Sequence, residues 1–175
     1  MTILLTGAAG FIGAYVARAL IARGDRVVGV DNYNDYYDPQ LKRDRVAALC
    51  PILDLHFLDL ADKLGVDKLF EQIAPTRVIH LAAQAGVRYS LKNPHAYLHS
   101  NWSGFLNILE ACRYGNVEHL VYASSSSVYG RNAVAPFTET QTVDQPLSLY
   151  AASKASNELM AHCYSHLYRM RCTGL

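Results

Sequence analysis

The 175-residue chain has no run of like charge, no cysteines at metal or redox spacing, and no long uncharged apolar stretch. Lys and Arg number 16 against 15 Asp and Glu, a net charge of +1. A nucleic-acid partner or an anionic membrane surface is therefore not expected. The four cysteines, Cys50, Cys112, Cys163 and Cys172, include no C-x-x-C pair, and they read as reduced structural thiols of a cytoplasmic protein. No segment is long and apolar enough to span a bilayer. Residues 1–22 are apolar enough to mimic a signal peptide, yet they lack a basic leading segment and carry a glycine turn, so that reading is rejected. There is no internal repeat and no low-complexity segment. With 51% hydrophobic and 18% charged residues, the composition fits one domain over residues 1–175 with a sizeable core.

What is present is organised around Thr6-Gly7-Ala8-Ala9-Gly10-Phe11-Ile12-Gly13. It follows the apolar run Ile3-Leu4-Leu5 and opens an apolar-periodic segment that ends near Arg23-Gly24. Strand, glycine turn and helix form the context in which such a motif binds a dinucleotide. Gly7 allows a sharp turn, Gly10 lets backbone N–H groups approach a pyrophosphate, and Gly13 lets the helix pack closely on its strand. The helix N-terminus at Phe11 and Ile12 offers unpaired donors and a partial positive charge. The spacing, G-x-x-G-x-x-G, is one residue longer in its first gap than the commoner form. A tight strand–helix connection without a ligand is the bland alternative.

A second strand, Arg26–Val30, ends at Asp31, 18 residues after Gly13. An acid there accepts hydrogen bonds from the adenosine ribose and repels a 2′-phosphate, which favours NAD over NADP; Asn32 follows it. Further strands are expected over residues 53–58, 77–82, 119–123 and 171–175. Helices are expected over 40–49, 66–73, 94–114 and 149–168, with residues 32–39 as a loop. Asn93 can cap the third of these helices, with Pro94 in its first turn. Strands alternating with crossover segments predict an α/β fold, a doubly wound parallel sheet of Rossmann type. Its ligand rim lies at the strands' carboxyl ends, where Gly7, Asp31, Asp59, Leu81–Ala83 and Ser124–Ser126 all fall.

Tyr150 and Lys154 stand four apart in a helix and share a face. A free tyrosine has a pKa of about 10, so a phenolate at pH 7 needs roughly 4 kcal/mol of stabilisation. A nearby lysine ammonium and a positive nicotinamide ring can supply it. Ser125, from the end of the fifth strand, can hydrogen-bond a substrate oxygen beside the phenol. Together they form a general acid/base beside a hydride acceptor. His162 and His166 lie one helical turn apart but no third ligand is evident, so they read as surface or packing residues and no metal is expected.

These motifs resemble the extended short-chain dehydrogenase/reductase family of NAD-dependent epimerases and dehydratases. Within it the similarity is to UDP-sugar 4-epimerases acting on UDP-glucuronate. It is carried by Thr6–Gly13, by Asp31-Asn32-Tyr33-Asn34-Asp35-Tyr36-Tyr37-Asp38-Pro39 and by His80-Leu81-Ala82-Ala83-Gln84-Ala85-Gly86-Val87-Arg88-Tyr89-Ser90. Ser124-Ser125-Ser126-Ser127-Val128-Tyr129-Gly130 and Tyr150-Ala151-Ala152-Ser153-Lys154 complete it. The resemblance spans the whole chain but only the N-terminal half of such an enzyme, so the C-terminal substrate-binding part is expected to be absent. It implies Asp59 and Leu60 at the adenine, Leu81, Ala82 and Ala83 along the dinucleotide, and Asn101 beneath it. Gln84 and Arg88 would face the nicotinamide and the substrate, with Ser125, Ser126, Ser127 and Tyr150 on the sugar. It also implies a homodimer formed through the helices that carry Asn101 and Tyr150.

The resemblance further implies that related dehydratases place acidic residues just after the catalytic hydroxyl, where this chain has Ser126 and Ser127. Eliminating water needs a second acid/base pair, whereas inverting C4 needs one base and a recycled hydride. The expected reaction is interconversion of UDP-glucuronate and UDP-galacturonate with bound NAD. A non-catalytic NAD-binding fragment and an NAD-dependent reductase of the same fold are the alternatives.

Overall fold

The strands sort their side chains by alternation, and the register shows how. The computed structural model describes residues 1–132 and 134–175. Among these the strands are β1 Thr2–Thr6, β2 Arg26–Asp31, β3 Asp54–Phe57, β4 Arg77–His80, β5 His119–Tyr122 and β6 Cys172–Gly174. The helices are α1 Phe11–Ala22, α2 Pro39–Leu49, α3 Lys63–Ile73, α4 Pro94–Tyr97, α5 Gly104–Tyr114 and α6 Leu149–Tyr168. The sheet order is β3-β2-β1-β4-β5-β6, parallel at every pairing.

Leu4 is in register with Val28 and Val78, and Val78 with Leu120, so the four project from one face. That face is covered by Val66, Leu69 and Phe70 of α3 and by Phe105, Ile108 and Leu109 of α5. Leu5 and Ile79 project from the opposite face, which Ala14 and Ala17 of α1 and Val46 and Leu49 of α2 cover. Both faces of the sheet are thus closed by helices, which is why β1 and β4 read as nearly continuous apolar runs. The expected doubly wound Rossmann sheet is the observed one.

Strand ends differ from expectation by one or two residues; β4 stops at His80 and β5 at Tyr122. Helix α3 begins three residues early because Asp62 caps it, its Oδ1 accepting from the Gly65 N–H at 3.1 Å. The larger correction concerns the helix expected to run unbroken from Pro94 to Tyr114. Asn93 does cap it, but Leu98–Ser103 winds as a π-helix between α4 and α5. Within that wide turn the Asn101 carbonyl accepts a hydrogen bond from Asn157 Nδ2 at 2.7 Å. A side chain of α6 thus bonds the turn's backbone, and such insertion is a standard cause of a helix irregularity.

Candidate functional site

Two glycines set the rim. Gly7 has φ +68°, and a Cβ there would lie 2.7 Å from the Ala82 nitrogen. A Cβ on Gly13 would lie 2.0 Å from the Gly7 carbonyl oxygen. Only glycine fits either position, and the result presses the N-terminus of α1 against the end of β1. The first N–H groups of α1, which have no preceding helical carbonyl to bond, open onto a cavity of about 350 Å³.

Every residue expected at the pyrophosphate, Gly7, Gly10, Phe11, Ile12 and Gly13, lines this cavity. So do Asp31 and Asn32 after β2, Asp59 and Leu60 after β3, and Leu81, Ala82, Ala83 and Gln84 after β4. Asn101 lies behind the wall, fully buried. Its Oδ1 accepts from the Gln84 N–H at 2.8 Å, and its Nδ2 donates to the Gln84 carbonyl at 3.1 Å and to Ser153 Oγ at 2.9 Å. The π turn therefore ties the cavity wall to α6.

Asp31 does not stand alone as a negative charge. Its Oδ2 accepts from the Ala9 N–H (3.1 Å), and its Oδ1 accepts from the Tyr33 N–H (2.8 Å) and from Lys42 Nζ (3.2 Å). Both side chains of the pair are buried. The Lys42 ammonium thus partly offsets the Asp31 charge. Lys42 lines the cavity and was missed; a cation 11 positions along, on another element, gives no local signal for such a pairing. Asn34, Tyr36 and Tyr37, within the stretch expected to be a loop, line it too.

Partial burial pushes the Asp59 carboxyl up, but hydrogen bonds from the Ala61 N–H, from Asn32 Nδ2 and from His99 bring it below its ordinary value. It is a fixed anion at the end of the cavity formed after β2 and β3.

The residues expected to do chemistry, Ser125, Tyr150 and Lys154, do not themselves line the cavity; Lys154 reaches it through the wall residue Ala123. Lys154 is 4% exposed, its Nζ donates to the Ala123 carbonyl at 2.9 Å, and Ala123 lines the cavity. Burial pulls the lysine pKa down to about 8. Tyr150 lies one turn earlier, where Ser148 caps α6 through the Ala151 N–H at 3.0 Å. The Tyr150 ring meets Tyr97 edge-on at 6.1 Å, and the Tyr97 hydroxyl donates to the Ala85 and Gly86 carbonyls. Burial, with Tyr36, Tyr89 and Tyr150 nearby, pushes the Tyr97 phenol up to about 12, so it remains a donor.

Ser125 Oγ accepts from the Ser127 N–H at 3.2 Å, while Ser126 is exposed. The Ser124 hydroxyl donates to the Glu158 carboxylate, which stakes the serine run to α6 one turn beyond Lys154. Glu158 was another omission; its i, i+4 spacing from Lys154 was the available signal. Arg88 is exposed on the loop after β4 and is not part of the cavity wall.

His80 is buried, with Nδ1 and Thr6 Oγ1 hydrogen-bonded at 2.8 Å. Burial first, and then the Lys154 charge, push its pKa down to about 3, so the ring is neutral beside the ammonium. His162 and His166 are exposed, and no metal-capable cluster of three side chains occurs among the described residues.

A family model described as GDP-mannose 4,6 dehydratase matches residues 4–175. The chain belongs to that family. Its members include NAD-dependent epimerases as well as dehydratases. The chain is 52% identical to a UDP-glucuronate 4-epimerase of Arabidopsis thaliana, over 99% of this chain and 41% of the relative. It superposes with a TM-score of 0.90 on the UDP-glucuronic acid 4-epimerase of Bacillus cereus, solved in complex with UDP-glucuronic acid and NAD. That match has 32% identity and covers 99% of this chain and 55% of the other. The UDP-glucose 4-epimerase of Thermus thermophilus, solved with NAD, gives a TM-score of 0.88 at 37% identity, covering 99% and 54%. The chain thus spans about half the length of the family relatives it matches. No helix among the described residues is long and apolar enough to cross a membrane.

Proposed function

We propose that this chain is the NAD-holding and acid/base part of a UDP-sugar 4-epimerase, with UDP-glucuronate and UDP-galacturonate as the interconverted pair. One observation carries the reading: the Lys154 ammonium is bonded to the wall of a glycine-rimmed cavity, with Tyr150 one turn away on the same helix. NAD, when bound, supplies a nicotinamide that takes a hydride from C4 and returns it. The residues fit that group, since the Gly7–Gly13 turn leaves room only for backbone and opens helix N–H groups where a pyrophosphate would lie. Asp31, Asn32 and Asp59 hold the adenosine end, and Leu81–Gln84 flank the length of the ligand, with Asn101 fixing Gln84 from behind.

In this reading Tyr150 removes the proton from the 4-hydroxyl and later returns it, a general acid/base role. Lys154 holds positive charge beside the phenol and hydrogen-bonds the nicotinamide ribose. Ser125 orients the 4-oxygen, Ser126 and Ser127 lie along the sugar, and Arg88 reaches the substrate from its exposed loop. The serines at 126 and 127 offer no second acid, which favours inversion over the elimination that the family description names.

Incubating the protein with UDP-glucuronate should give UDP-galacturonate by NMR with no net NADH at 340 nm. Steady NADH accumulation would instead mean a reductase, and bound NAD without conversion would mean a nucleotide-binding module.

We also propose a homodimer through α5 and α6, on which Leu106, Leu159 and Leu167 are exposed. Light scattering should return twice the chain mass of 19.4 kDa, and Leu159→Glu should halve it. A monomer in the unsubstituted protein would refute the pairing. A cytoplasmic setting suits the four free thiols.

A further inference from the structure

We infer that two loops join over the cavity as a strap that gates entry and exit of the dinucleotide; this rests on the NAD reading above. Strands β2 and β4 each pair with β1 and not with each other. A contact between the loops that follow β2 and β4 must therefore cross the rim above the end of β1, where the glycine turn lies. Such contacts exist. Tyr36 of the first loop packs on Tyr89 of the second at 4.8 Å between ring centroids. Its hydroxyl occupies the space a Cβ on Gly86 would fill, 2.5 Å from that position. Asn34 Nδ2 donates to Gln84 Oε1 at 3.5 Å. A ligand reaching from Asp31 to the Ala123 wall has to pass beneath this joint.

Each half of the strap is held firmly at its base. In the first, the Tyr33 N–H is bonded to Asp31, the Asn34 N–H to Asn32 Oδ1 at 3.1 Å, and Asn34 Oδ1 to Lys42 Nζ at 3.4 Å. In the second, the Tyr97 hydroxyl bonds the Ala85 and Gly86 carbonyls and Ser90 Oγ bonds the Val87 carbonyl at 2.7 Å. The joint is weak by comparison: one aromatic pair and one hydrogen bond at the outer limit of length. Two anchored arms with a weak meeting point open at that point, and Tyr36, 42% exposed, is its main element. The strap closes over a cofactor that the proposed reaction regenerates in every cycle and has no need to exchange.

A gate has a kinetic signature that an ordinary contact lacks. An aromatic pair of this type shifts an equilibrium by up to a factor of about ten. Tyr36→Ala should therefore speed both binding and release of etheno-NAD by roughly three- to ten-fold in stopped-flow fluorescence, with unlabelled NAD as the chase. Kd should shift by less than either rate, because opening the joint lowers the barrier to entry and to exit alike. Gly86→Ala, whose Cβ would displace Tyr36 at a φ of +99°, should act in the same direction without removing any aromatic ring. Faster release with unchanged binding rate would reduce Tyr36 to a ligand contact, and unchanged rates in both variants would eliminate the strap. Failure of the unsubstituted protein to take up etheno-NAD would overturn the NAD reading itself and the strap with it.

Discussion

On the epimerase reading, turnover of UDP-glucuronate should fall by about 10²–10⁴-fold in Tyr150→Phe, the usual contribution of a positioned acid/base, while NAD remains bound. The substitution deletes one oxygen and leaves the ring on Tyr97 and the α6 backbone as they are. Ser153 Oγ bonds the Tyr150 carbonyl at 2.7 Å and Asn101 Nδ2 at 2.9 Å, contacts that do not involve the phenol. The geometry of Lys154 on Ala123 is likewise independent of it. The variant isolates the proton-transfer step: kcat falls, and KM for the sugar changes little, because the missing group matters most in the transition state. NMR turnover of the protein, with bound NAD released by denaturation and quantified, gives both readings. Turnover within a factor of three of the unsubstituted protein would remove Tyr150 from the mechanism, and loss of NAD would make it a cofactor contact.

How much of this was legible beforehand depends on the distance over which each signal acts. The Gly7–Gly13 turn and the Tyr150–Lys154 face are local: each needs only a strand-to-helix turn or a four-residue spacing. The turn lines the cavity, and Lys154 bonds its wall at Ala123. Element types followed from apolar periodicity, and the helix over Leu149–Tyr168 has the expected ends because Ser148 gives it a sharp start. The π turn at Leu98–Ser103 had no such signal. It depends on Asn157, 56 positions from Asn101, whose amide draws the backbone out of regular winding. Lys42 was invisible for the same reason; helix α2 carries three cations, Lys42, Arg43 and Arg45, and only the placement of Asp31 makes one of them buried. The strap combines both problems, since Tyr36 and Tyr89 meet only because β1 separates the two strands that carry their loops. Pairings across the sheet are thus what the pattern of residues left unread.

Lys154→Met should make the protein more stable at pH 7, by about 2 kcal/mol. The buried lysine has its pKa lowered from 10.5 to about 8 by desolvation. Below pH 8 the folded state must hold a charge that the unfolded state solvates freely, a cost of about 3 kcal/mol. Methionine fills the same channel without that cost, and leaving the Ala123 carbonyl without its donor takes back about 1 kcal/mol. For a chain of this length the gain corresponds to a Tm rise of roughly 4–8 °C in the absence of NAD. The sign of the pH effect follows from proton counting. Between pH 8 and 10.5 the unfolded state binds more protons at this site than the folded one, so the unsubstituted protein gains stability as pH rises through that interval. The advantage of the methionine variant is therefore complete below pH 8 and shrinks toward pH 10.5. Melting both proteins at pH 7 and at pH 10 tests the difference while other titrations cancel. A variant less stable than the original at pH 7, by the same margin at both pH values, would show that Lys154 contributes structural hydrogen bonding and carries no burial cost. A residue that destabilises its own fold persists where its charge is needed, and on the epimerase reading the charge that burial makes costly in Lys154, bonded to the cavity wall at Ala123, is the one Tyr150 requires.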